Sequence, residues 1–236
     1  MKKALPVFRR ELSAYFFSPM AYIVITVFLL LTGWFFTSEL FLSGDSSLRS
    51  VFNIIPFIFI FFIPAITMRL LSEERKSGTI ELLVTMPITD MEIVIGKYLA
   101  SLGLLVAALF FTFPYALTIM VLGEPDIGMM ISGYLGLVLM GASYIAIGVF
   151  ASTVSKNQVV SFIIAFLIIF ILFLIDKFLM IIPPFLVPVL QFLSIDYHFA
   201  NISRGVVDSR DVLYYLSVIV FMLSLSRLSL ESRKWS

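Results

Sequence analysis

Val159-Val160-Ser161-Phe162-Ile163-Ile164-Ala165-Phe166-Leu167-Ile168-Ile169-Phe170-Ile171-Leu172-Phe173-Leu174-Ile175 is a stretch of 17 residues without a single charge, and apart from Asp176 and Lys177 it stays apolar to Ile182. A helix of about 20 such residues is roughly 30 Å long, the thickness of the hydrocarbon core of a bilayer. The stretch therefore reads as a transmembrane helix. Working outward, comparable runs cover Ala21 to Leu42, Val51 to Leu71, Ile93 to Leu122, Met129 to Val154 and Val212 to Leu230. The sequence predicts an all-α membrane protein of six crossings.

Composition agrees. Of 236 residues, 61% are hydrophobic and 13% charged, where an ordinary soluble domain carries about 25% charge. The mean hydropathy is +1.08. No polar stretch is large enough to fold separately, so residues 1–236 read as one membrane domain. The net charge of +1, with Lys and Arg dispersed, argues against a nucleic-acid surface. The absence of cysteine excludes disulfides, thiolate metal sites and a cysteine nucleophile.

Catalytic motifs are missing as well. His198 is the single histidine, and neither H-E-x-x-H nor G-x-S-x-G occurs. Gly96-Lys97 is followed by Tyr98, so there is no phosphate-binding loop of the G-x-x-x-x-G-K-[ST] type. The chain is expected not to be an enzyme, and to hold no cofactor or metal of its own. Charges inside the apolar runs, which would mark an ion-coupled carrier, are scarce. Glu39, Asp176 and Lys177 lie near run ends, the last two within reach of interfacial water or of each other.

The connections carry the remaining signals. In Met1 to Ser18, Lys2, Lys3, Arg9 and Arg10 oppose Leu5, Phe8, Leu12, Tyr15 and Phe16 at helical spacing, the pattern of an interfacial amphipathic helix. Thr89-Asp90-Met91-Glu92 forms a capping box at the start of the third crossing, which Pro114 is expected to kink, and Asp126 is placed to cap the fourth. Residues 183–210 contain an apolar middle too short to cross, punctuated by Pro184 and Pro188, and are expected to fold back into the outer leaflet as short re-entrant helices.

Lys and Arg favour cytoplasmic loops. With the N-terminus inside, that side holds Lys2, Lys3, Arg9, Arg10, Arg69, Arg75, Lys76, Lys97, Lys156, Arg227, Arg233 and Lys234, 12 of the 16 basic residues. Both termini are therefore expected in the cytoplasm. The charged connection between crossings two and three, residues 72–89, then faces the cytoplasm. Within it Gly78-Thr79 can start a helix, Glu81 suits the positive end of its dipole, and Pro87 stops it. Ile80, Leu82, Leu83 and Met86 present an apolar surface that fits either a membrane-hugging linker or a protein docking site.

Pro64-Ala65-Ile66-Thr67-Met68-Arg69, Ser72-Glu73-Glu74-Arg75-Lys76-Ser77-Gly78-Thr79-Ile80-Glu81-Leu82-Leu83 and Pro87-Ile88 together resemble the signature of ABC-2 type permeases. Ser18-Pro19, Ser155-Lys156-Asn157-Gln158 and residues 203–212 extend the likeness to the gliding-motility GldF-like, NosY-related group. The resemblance implies a six-helix half-transporter in the bacterial inner membrane, with residues 1–18 as an elbow helix and a coupling helix within 72–89. It implies an ABC ATPase dimer that binds the ATP and Mg, a second permease copy or related permease, membrane lipid, and a GldG-like anchored extracytoplasmic protein. ATPase coupling would fall on Glu74, Arg75, Gly78, Thr79, Glu81, Leu82, Leu83, Met86 and Pro87. A stand-alone secondary carrier and a non-transporting membrane scaffold are the alternatives.

Overall fold

The structure, a computed structural model, describes residues 4–42, 48–79, 88–123, 126–179 and 181–232, and these are helical almost throughout. Helix α1 (Ala4–Phe17) is followed by α2 (Pro19–Leu42), α3 (Arg49–Thr67) and the short α4 (Ser72–Lys76). Next come α5 (Asp90–Phe110), α6 (Phe113–Leu122), α7 (Ile127–Val154) and α8 (Gln158–Phe178). The chain finishes with α9 (Val187–Leu193), α10 (Ile195–Ile202) and α11 (Ser209–Glu231). Six segments are long and apolar enough to cross a membrane: Pro19–Leu42, Arg49–Lys76, Asp90–Leu122, Ile127–Val154, Gln158–Phe178 and Ser209–Glu231.

Helix starts follow local chemistry. The capping box forms: Thr89 Oγ1 accepts from the Glu92 amide at 3.3 Å, and Glu92 Oε2 accepts from the Thr89 amide at 3.1 Å. Asp126 Oδ1 accepts from the Met129 amide at the start of α7, and Asn157 Oδ1 from Val159 at the start of α8. The third crossing is interrupted at Phe111 and Thr112, just before Pro114. α5 ends at Phe110, and Pro114 opens α6, because a proline in the first turn gives up no helical hydrogen bond.

α7 is the axis of the bundle, buried along most of its length and packed by α3, α5, α8 and α11. In lipid no hydrophobic force drives helices together, so close approach of small residues carries the packing. Gly148 shows how close: a Cβ there would collide with Thr67 Oγ1 and lie 2.7 Å from Thr67 Cβ. Aromatic contacts close the periphery, with Phe28 and Phe62 centroids 4.9 Å apart and Phe61 and Phe166 centroids 5.2 Å apart. The outward faces of α2, α8 and α11 expose Trp34, Leu167, Phe221 and similar side chains, as the apolar surface facing lipid must.

Two expectations are revised and one is extended. Of the apolar stripe assigned to the first helix, Leu5 and Phe16 are exposed, while Phe8, Leu12 and Tyr15 turn inward with Ala4 and Val7 along α5. Lys177 pairs chiefly with Asp196 at 2.6 Å and only distantly with Asp176 at 3.7 Å. Burial pushes the Asp196 carboxyl upward even so. The fifth crossing ends at Phe178 rather than Ile182.

Six crossings return the chain to the face where it started. That face gathers α1, α4, the 155–157 connection and the end of α11; α9 and α10 belong to the opposite one.

Candidate functional site

The charged connection begins in a cluster that joins three helices. α1 lies on α5 because Gly96 leaves room for Val7; a Cβ at Gly96 would stand 2.7 Å from Val7 Cβ. One residue on, Lys97 turns its ammonium into the junction. Its Nζ donates to Glu11 Oε1 of α1 at 3.0 Å and to Glu74 Oε1 of α4 at 2.9 Å. The Lys97 side chain is 2% exposed and the two carboxylates 17% and 16%. A charge so buried is stable only when paired and hydrogen-bonded, so position 97 ties both partners to α5.

A second tie fixes α1 to α3. Tyr15 Oη donates to the Ile66 carbonyl at 2.7 Å and lies 3.1 Å from Ser101 Oγ on α5. Ile66 sits in the last turn of α3, where carbonyls lack a helical donor, and the phenol satisfies one of them. Burial pushes the Tyr15 phenol well above the ordinary tyrosine range, so it remains a neutral donor.

A third tie reaches α7. Arg75 Nη1 donates to the Thr153 carbonyl at 2.7 Å, in the last turn of α7, where the helix dipole is negative and a cation is favoured. Adjacent Glu74 and Arg75 thus fasten α4 to α1, α5 and α7. The exposed pair Arg69–Glu73 at 3.0 Å adds little, since solvated ion pairs are worth at most about 1 kcal/mol.

Beyond Arg75 the chain leaves the bundle. The Ser77 amide bonds the Glu73 carbonyl as the C-cap of α4, and Gly78 takes φ +73°, the left-handed conformation that ends helices. Gly78 therefore closes α4, and the helix expected to start at Gly78-Thr79 would fall on residues outside the described ones. Thr79 Oγ1 lies 2.9 Å from Ser77 Oγ, and Ser77, Gly78 and Thr79 are all exposed. Glu81, Leu82, Leu83, Met86 and Pro87 lie outside the described residues.

Of the residues singled out in the sequence, Glu74 and Arg75 are brought into the junction and Gly78 and Thr79 project from it. Lys97, Glu11, Tyr15 and Thr153 carry the junction without having been singled out for it. One signal was available: Lys97 falls five residues into an apolar run, where a charge demands a partner. Nothing local distinguishes Glu11 or Thr153. Among the described residues no group of His, Asp and Glu is arranged to hold a metal ion.

Six apolar crossings make the chain a multi-pass membrane protein. Residues 35–202 match the family model described as ABC-2 family transporter protein, and the chain belongs to that family, the membrane-embedded permease component of ABC transporters. The matched range contains Glu74, Arg75 and Lys97, whereas α1 with Glu11 precedes it. A search of curated proteins found no match.

Proposed function

We propose that the chain is the permease subunit of an inner-membrane ABC transporter, with both termini and the 72–89 connection in the cytoplasm, coupled to a separate ATPase dimer. Family membership supports the permease role. The observation that carries the coupling role is the base of the 77–87 segment: Lys97 bonded to both Glu11 and Glu74, with Arg75 bonded to the Thr153 carbonyl. A push on the exposed turn at Ser77, Gly78 and Thr79 is delivered through this base to α1, α5 and α7 together, because packed cores move as units and do not deform gradually. In this reading the coupling helix falls within residues 77–87, Glu81, Leu82, Leu83 and Met86 contact the ATPase, and α1 is the elbow. Two permease copies, or this chain and a related one, convert ATPase closure into export of a substrate or into conformational work. The resemblance in residues 64–88 and 203–212 supports assignment to the gliding-motility GldF-like group, with a GldG-like extracytoplasmic partner.

The test is purification of the intact protein from its native membrane in mild detergent. Recovery of an ABC ATPase in stoichiometric amount, with nucleotide-dependent activity, is the expected result. Repeated recovery of this chain alone and without ATPase activity would reject the reading in favour of a carrier or scaffold.

A further inference from the structure

A cavity lies at the opposite end of the molecule from the junction. About 780 Å³ opens between α10 and α11, beside the 203–208 loop. Its back wall is rigid. His198 Nδ1 and Asp211 Oδ1 are 2.6 Å apart, both side chains 6% exposed, and the Tyr214 ring stacks on His198 at 3.9 Å. Tyr214 Oη donates to the Leu193 carbonyl at 2.7 Å, fixing α11 to the end of α9.

The polar groups are unevenly engaged. Asp211 is occupied by His198, and Asp208 caps α11 by accepting from the Arg210 amide at 2.9 Å. Arg204 and Arg210 also line the cavity, and among the described residues neither guanidinium has an ion-pair or hydrogen-bond partner. Two exposed guanidinium forks without partners among the described residues suit a phosphate, which Arg binds through paired N–H donors.

The remaining lining mixes Tyr197, Asn201 and Ser217 with apolar side chains that stand open. Phe192, Val206 and Leu213 are 63%, 67% and 63% exposed. α11 begins its crossing at Ser209, so Leu213 and Ser217 stand about 6 and 12 Å along it. The cavity thus sets Arg204 and Arg210 beside exposed apolar side chains, with Leu213 about one turn into the crossing. A soluble anion gains nothing from the apolar part, whereas a molecule with an anionic head and an acyl tail uses both.

We propose that this cavity is a binding site for the phosphate headgroup of an anionic phospholipid, held by Arg204 and Arg210 with its acyl chain running past Leu213 into the bilayer. The site stands independently of the transport reading, since it needs neither ATP nor a partner chain.

The test uses the intact purified chain and its Arg204→Gln/Arg210→Gln variant, both substitutions being at exposed positions, with equal thermal stability of the two proteins as the control for folding. Each is titrated with phosphatidylglycerol in mild detergent and followed by native mass spectrometry, alongside phosphatidylcholine, inorganic phosphate and polyglutamate. The wild-type chain is expected to retain phosphatidylglycerol in preference to phosphatidylcholine, undisturbed by inorganic phosphate, with retention about tenfold weaker in the variant. Equal retention by both proteins would overturn the site. Displacement by inorganic phosphate would make it a free-anion site, and tighter binding of polyglutamate a protein-docking surface; either result overturns the lipid assignment.

Discussion

Lys97 Nζ stands 2.9 Å from Glu74 Oε1 and 3.0 Å from Glu11 Oε1, so one buried ammonium on α5 joins the first helix of the chain to the charged connection. Removing the ammonium leaves two carboxylates facing each other with little water. Lys97→Met is expected to destabilise the protein by about 3 kcal/mol, and Glu11→Gln/Glu74→Gln in the same chain should restore most of it. Thermal unfolding in detergent measures both. A stable single variant would mean that the cluster contributes nothing.

Arg75→Ala removes one charge-assisted hydrogen bond to the end of α7, worth about 2 kcal/mol at most. Its effect should fall on coupling more than on folding: normal expression, with reduced stimulation of the ATPase in reconstituted vesicles. Undiminished stimulation would remove Arg75 from the transmission path.

Gly148→Ala places a methyl group within 2.7 Å of Thr67 Cβ, and Thr67 is fully buried and bonded to the Ile63 carbonyl. Neither helix can yield by a rotamer change alone. A loss of about 1–3 kcal/mol is expected, read again by thermal unfolding.

Orientation is open to a direct measurement because the chain has no cysteine, so a single introduced thiol is labelled without background. Thr79→Cys should react with a membrane-impermeant maleimide only in inverted vesicles, and Asp208→Cys only in right-side-out cells. The reverse pattern would place the termini outside and remove residues 77–87 from any cytoplasmic ATPase.

Much of the fold was legible because lipid imposes a simple rule: a crossing needs about 20 apolar residues, and each of the six runs declared itself by length. Thr89 with Glu92, and Asp126, were equally readable, since capping depends on neighbours within one helical turn. The break near Pro114 was visible as a proline, but whether the helix bends or stops depends on the Phe111–Thr112 turn it meets. The junction was not legible. Lys97 shares no local pattern with Glu11, 86 residues away, and the contact exists because Gly96 admits Val7 and brings α1 alongside α5. The second partner of Lys177 was not legible for a similar reason: Asp176, 3.7 Å away, is adjacent in sequence, but Asp196 is presented by a separate helix.

The most direct test of the account is capture of the ATPase by the intact chain and by its Leu82→Asp/Leu83→Asp variant, with both proteins compared by thermal unfolding. The account predicts that the variant folds and inserts as the wild type does but no longer retains the ATPase, because its charges disrupt an apolar docking surface outside the bilayer. Full retention of the ATPase by a correctly folded variant would contradict it.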